Sequence, residues 1–194
     1  SANDATRLPI GTAVVVRGVY VTAVRPAGPS SQGFFVQDDS GQPYSGLSVY
    51  SGAATLGVRV AERVTVRGYV SQYAGAPELS EPVVEVEDDA QILPFFPIFV
   101  DDPSLLADGG ALAAPYRSMW LTLADVDVVS ENADAPSDFD ELLVSGGLRV
   151  DDALYPELDN AFPVGSHFTS LSGILGQSFS HSKLWPRSAA DISP

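Results

Sequence analysis

Apolar positions along this chain fall into short, β-branched runs separated by glycine, proline and serine. Residues 12 to 24 are dense in valine, threonine and tyrosine, which predicts a long strand with a bend or bulge at Gly18. Residues 25 to 33 are loop by their Pro, Gly and Ser content. Phe34 to Gln37 and Leu47 to Tyr50 read as short strands flanking the turn-rich stretch Asp38-Asp39-Ser40-Gly41-Gln42-Pro43. Val58 to Tyr73, with Gly68 inside it, and Val83 to Val86 complete five strands, of which the first and fourth are expected to be longest. The later part of the chain gives the same succession: Trp120 to Val129, Leu142 to Val144, Leu148 to Val150, His167 to Phe179, and a last element around Leu184 to Ile192. Residues 104 to 114 suggest a helical turn.

The two successions share more than order. Gly33 to Gly41, Gly46 to Tyr50 and Val60 to Val70 are echoed by Asp138 to Val144, Gly147 to Asp151 and Gly165 to Leu175, and both copies place a glycine, Gly68 or Gly173, midway along the fourth strand. A period of roughly a hundred residues is a domain repeat, too long for a solenoid unit of about 20 to 50. The fold class that follows is all-β, with two tandem five-stranded OB-fold Greek-key barrels; a single β-sandwich is the alternative with the same strand count. Sharp curvature in so small a barrel accounts for the mid-strand glycines. The expected organisation is a first OB-fold domain at 8–90, a packed Pro/Phe-rich connector at 91–115, and a second OB-fold domain at 116–194.

Composition narrows the function classes. Hydrophobic residues are 45% and charged residues 18% of the 194, an ordinary globular balance. Ten basic against 25 acidic residues give a formal charge of -15, which repels nucleic acid and anionic membranes at long range. No cysteine is present, so disulfides, thiol catalysis and zinc-cysteine sites are excluded. No apolar run approaches a membrane span, and the polar start resembles a mature terminus from which a signal has been removed.

Residues 14 to 19, 33 to 38, 46 to 50, 64 to 70, Glu78-Leu79, 148 to 152, 172 to 175 and 183 to 192 resemble the OB-fold domains that accompany bacterial extracellular endonucleases and exonucleases. The resemblance implies export to the periplasm, cell surface or medium and an accessory role in nucleic-acid binding. The metal-site motifs of the nuclease catalytic domain have no counterpart here. No Gly-x-Ser-x-Gly pattern accompanies His167 or His181, so no catalytic residues are assigned and the chain is read as a non-enzyme. The Asp/Glu-rich stretch from Asp125 to Glu141 lacks calcium-loop spacing; it reads as a solvated acidic loop, with no metal or cofactor assigned. OB-folds bind across their second and third strands and the adjoining loops, which nominates Phe35, Gln37, Tyr44, Tyr50, Arg67 and Tyr73 as ligand-binding residues. Strand alternation allows only one of Phe34 and Phe35 to face outward. The charge favours a protein partner, with single-stranded nucleic acid as the alternative; oligomeric state is left open.

Overall fold

The computed structural model describes residues 8–26, 32–52, 54, 56–158 and 161–194. The chain divides between Phe96 and Pro97 into two compact units. No described residue lies in an α-helix, and the helical turn expected at 104 to 114 is a 3-10 turn at Pro103–Leu105. Its start is fixed by Asp102, whose carboxylate accepts the Ser104 N–H at 2.9 Å.

The first unit is a closed barrel of β1 (Ala13–Val24), β2 (Gln32–Gln37), β3 (Gly46–Gly52), β4 (Arg63–Tyr73) and β5 (Ala76–Asp88), in the order β1-β2-β3-β5-β4. Only β3 and β5 run parallel; the other neighbours are antiparallel, the OB-fold arrangement. Alternate residues point inward, so Val19, Val21, Phe34, Val36, Val49, Val64, Val66 and Leu79 share one core. The predicted bulge at Gly18 is real: the β1–β4 register shifts between Val16 and Val19, and Gly18 has φ +65° with the Arg63 guanidinium beside it. The fifth strand is much longer than the four residues the sequence suggested, because β5 forms a tight hairpin with β4 through Ala74 and Gly75 and pairs with it along nearly its whole length.

The second unit closes the same ring with β7 (Trp120–Ser130), β8 (Glu141–Val144), β9 (Arg149–Asp151), β10 (His167–Ser178) and β11 (His181–Trp185), and again the third and fifth of these, β9 and β11, run parallel. Two short strands are added: β6 (Ile98–Phe99) runs parallel to β7, and β12 (Ile192–Ser193) lies against β10. The stretch expected to be a connector is therefore shared out. Residues 91 to 96 go with the first unit, whereas Val100, Leu106 and Ala107 are buried in the core of the second beside Leu121, Val150 and Leu184.

Strand registers match the units residue by residue. In the first, Phe34 lies opposite Val49, Val49 opposite Leu79 and Leu79 opposite Val70; in the second, Leu142, Val150, Leu184 and Leu175 form the same inner row. Gly68 and Gly173, two positions earlier on the fourth strand, are thereby equivalent, and at each an added Cβ would meet a carbonyl of the fifth strand, at 2.7 and 2.6 Å respectively. The counterpart of Phe34 is Leu142; Phe139, which the sequence order sets beside it, precedes β8 and is exposed.

Candidate ligand-binding face

Because Val49, Leu79 and Val70 point into the first barrel, their neighbours on β3, β5 and β4 point out of it. One outward row runs Phe35, Ser48, Glu78, Ser71; the next runs Tyr50, Ser80, Tyr69; and Tyr73 follows Ser71 by two residues, opposite Ala76. Glu78 is thus central, with Tyr50, Tyr69 and Tyr73 at three of its diagonal positions. All three tyrosines are exposed, at 38%, 45% and 56%, while Glu78 is half-buried. Ser71 Oγ donates to the Glu78 carboxylate at 3.2 Å. Burial pushes the Glu78 carboxyl up from its ordinary value, and neither the Ser71 bond nor the nearby charge of Arg25 offsets it. Beside this face a shallow groove is lined by Leu8, Ile10, Val70, Ser71, Gln72, Gly75 and Pro77.

The six residues nominated from sequence are distributed over three places. Tyr50 and Tyr73 belong to the face around Glu78. Phe35 and Gln37 lie on β2 and are fully buried: Phe34 fills the core as expected, but the outward ring of Phe35 is covered too, with the Arg25 guanidinium 4.8 Å from its centroid. Tyr44 is exposed in the turn between β2 and β3. Arg67 stands elsewhere on the barrel, on β4 between Val15 and Val83, and faces Glu85 at 3.9 Å. Glu78 and Tyr69 were not nominated; strand alternation around Leu79 and Val70 is the signal that finds them.

In the second unit the same face is filled by the chain itself. The position of Glu78 is held by Lys183, that of Ser48 by Arg149 and that of Tyr50 by Asp151. Lys183 is buried and donates to Glu141 and, at 3.0 Å, to Asp151; Arg149 donates to Glu141 at 2.8 Å and to Asp134 at 2.5 Å. Burial works to lower the Lys183 ammonium, but the bond to Glu141 and the charge and bond of Asp151 outweigh it and its pKa is raised. The Phe179 ring lies 5.6 Å from Nζ. Both cations of this network are held by carboxylates of the same unit, while Asp134 Oδ2 is buried with no hydrogen-bond partner among the described residues.

The acidic loop ahead of it is engaged within the unit. Asp134 holds Arg149, Glu131 accepts the Val164 N–H at 2.9 Å, and Asp127 lies 2.8 Å from His167 Nδ1. His181 Nδ1 lies 2.5 Å from Asp108, whose other oxygen accepts the Ser182 N–H. Burial tends to raise the Asp108 carboxyl, but those two bonds and the nearby positive charges outweigh it and hold the pKa below its ordinary value. Among the described residues, no group of three or more His, Cys, Asp or Glu side chains is placed to hold a metal ion, and no helix is long and apolar enough to cross a membrane.

No protein-family model and no curated protein matches the chain. Among solved structures, a replication protein A heterotrimer bound to single-stranded DNA matches at 13% identity and TM-score 0.33, over 44% of this chain and 63% of that one. The matched region is thus less than two thirds of the other chain, and a likeness of this size carries no functional argument.

Proposed function

We propose that the chain is a non-catalytic binding module in which the first barrel carries the ligand site, the second is a structural companion, and the ligand is a protein. The contrast between the same face in the two barrels carries this reading. In the second it is closed by the chain's own ion network; in the first it presents exposed tyrosines around an incompletely compensated carboxylate. Aromatic side chains on an otherwise polar surface suit protein recognition.

The distribution of positive charge weighs against a polyanion. Arg59 faces Glu62 and Asp89, Arg63 faces Glu87, Arg67 faces Glu85, and Arg149, Lys183 and Arg187 are each held by carboxylates of the same unit. Each of those cations already faces a carboxylate of its own unit, which reduces what it gains by displacing counterions from a phosphate. A second reading, an accessory module for single-stranded nucleic acid, is favoured by the exposed Tyr44, Tyr50 and Tyr73, since tyrosine faces stack on bases. Titration with a single-stranded oligonucleotide at low salt, with and without calcium, separates the two. No binding in either condition is expected; binding whose affinity falls linearly with salt on logarithmic axes replaces the protein reading with the second. Export, part of the same proposal, rests on the resemblance to domains of secreted nucleases, and fractionation of the source cells tests it.

A further inference from the structure

We infer that the face around Glu78 is a recognition site for a lysine or arginine side chain presented by the protein partner. The inference rests on the protein-partner reading and names what that partner must offer. Its first support is chemical: a carboxylate on a sheet, with tyrosine rings at three of its diagonals, combines the two groups that attract an organic cation, a negative charge and the faces of aromatic rings. An ammonium or guanidinium has a flexible aliphatic stem, which tyrosine faces cover while the charged tip meets the acid. Anions are repelled by the same carboxylate.

The second support is internal. Lys183 stands at the position of Glu78 in the second barrel, its ammonium buried between Glu141 and Asp151 with an aromatic ring nearby. That barrel shows an alkylammonium accommodated on this face when acids surround it. The first barrel has the acid at the centre, rings around it and, among the described residues, the Ser71 hydroxyl donating to the carboxylate. The charge of Arg25, whose guanidinium lies 4.8 Å from the Phe35 ring centroid, also acts on Glu78. The second barrel buries its cation at this position, whereas in the first Glu78 stays partly open beside exposed tyrosines. The net charge of -15 guides a basic partner toward the molecule in general, and the rings select where it seats.

Calorimetric titration of the full chain at low salt tests this, using an octapeptide with two lysines among serine and glycine, and the same peptide with glutamine in place of lysine. Binding of the lysine peptide alone is expected. Glu78→Gln and Tyr50→Ala should each weaken it by tenfold or more, Tyr50→Phe should restore most of the affinity, and Glu85→Gln, on another wall of the barrel, should change it by less than twofold. Circular dichroism and melting midpoints establish that each variant is folded. Equal losses in Glu78→Gln and Glu85→Gln would mean diffuse attraction to an acidic protein and overturn the inference, as would binding of tetramethylammonium as tightly as the peptide. Should a natural protein partner be captured equally by the wild-type chain and by Glu78→Gln, the protein-partner reading survives and this site assignment does not.

Discussion

Lys183 and Glu78 occupy one structural position with opposite charge, and they have opposite consequences for stability. Lys183 is buried with two acids on its ammonium, so Lys183→Met leaves Glu141 and Asp151 facing each other with Arg149 as the remaining cation. The expected cost is about 3 kcal/mol or more, read as a lowered denaturation midpoint. A raised lysine pKa stabilises the folded state below its unfolded value, about 10.4, and the contribution is lost as pH rises through the folded value. The Lys183→Met penalty should therefore shrink in strong alkali. Glu78 behaves in the reverse sense. Its carboxyl is raised on folding, so ionisation disfavours the folded state above the folded pKa and this cost disappears once pH falls below the unfolded one. Glu78→Gln should raise the melting midpoint at pH 7 and leave it unchanged near pH 3, a small effect because the group is half-exposed. Sequence reasoning reached Tyr50 and Tyr73 through the known binding side of this barrel, yet it misplaced Phe35. Alternation tells which side of a strand a ring takes, not what lies over it, and the Arg25 guanidinium, in the loop after β1, is 4.8 Å from the centroid of this buried ring.

At the scale of elements, backbone spacing sets what each strand tolerates. Gly33 begins the close pairing of β2 with β3, and a Cβ there would lie 2.1 Å from the Val49 carbonyl oxygen. Gly33→Ala should cost about 3 kcal/mol, since both backbone conformation and the strand pair must give way. Gly52, at φ +64° with open space around it, should lose only about 1 kcal/mol on the same substitution. Urea unfolding of the two variants compares them directly, and equal losses would mean that the close approach of β2 and β3 relaxes. The fourth strand of the repeat was legible because its glycine, Gly68 in one copy and Gly173 in the other, marks a fixed point of register. The second strand was legible as an element, Leu142 to Val144, but its register was not: Phe139 mimics Phe34 in the sequence, while the acidic loop before β8 runs on three residues further and Leu142 takes the inner place. Length of a loop is invisible to a pattern of apolar residues when both ends of it carry one.

At the scale of the molecule, two separate cores define two units, and the boundary between them departs from the one the composition suggested. Pro94, Pro97 and the phenylalanines around them read as a connector because they interrupt strand periodicity. Part of that stretch is core. Val100, Leu106 and Ala107 are buried among Leu121, Val150 and Leu184, Ile98 pairs beside Leu121, and Asp108 fastens the segment to the β10–β11 hairpin through His181 and Ser182. A fragment of residues 97–194 therefore retains every buried side chain of its core, whereas one beginning at residue 116 lacks Val100 and Leu106, each of which, once removed, costs about 2 to 4 kcal/mol with the cavity it leaves. Against a total stability of about 5 to 15 kcal/mol for a domain of this size, the shorter fragment falls near or below its folding threshold. Expressed separately, 97–194 should show a cooperative thermal transition and dispersed amide resonances, and 116–194 should show neither. Two equally cooperative fragments would assign residues 97 to 115 to a dispensable tether, and the extra strand β6 with its buried followers would then be an ornament on the barrel; the burial of Leu106, complete in the structure, argues that it is a wall.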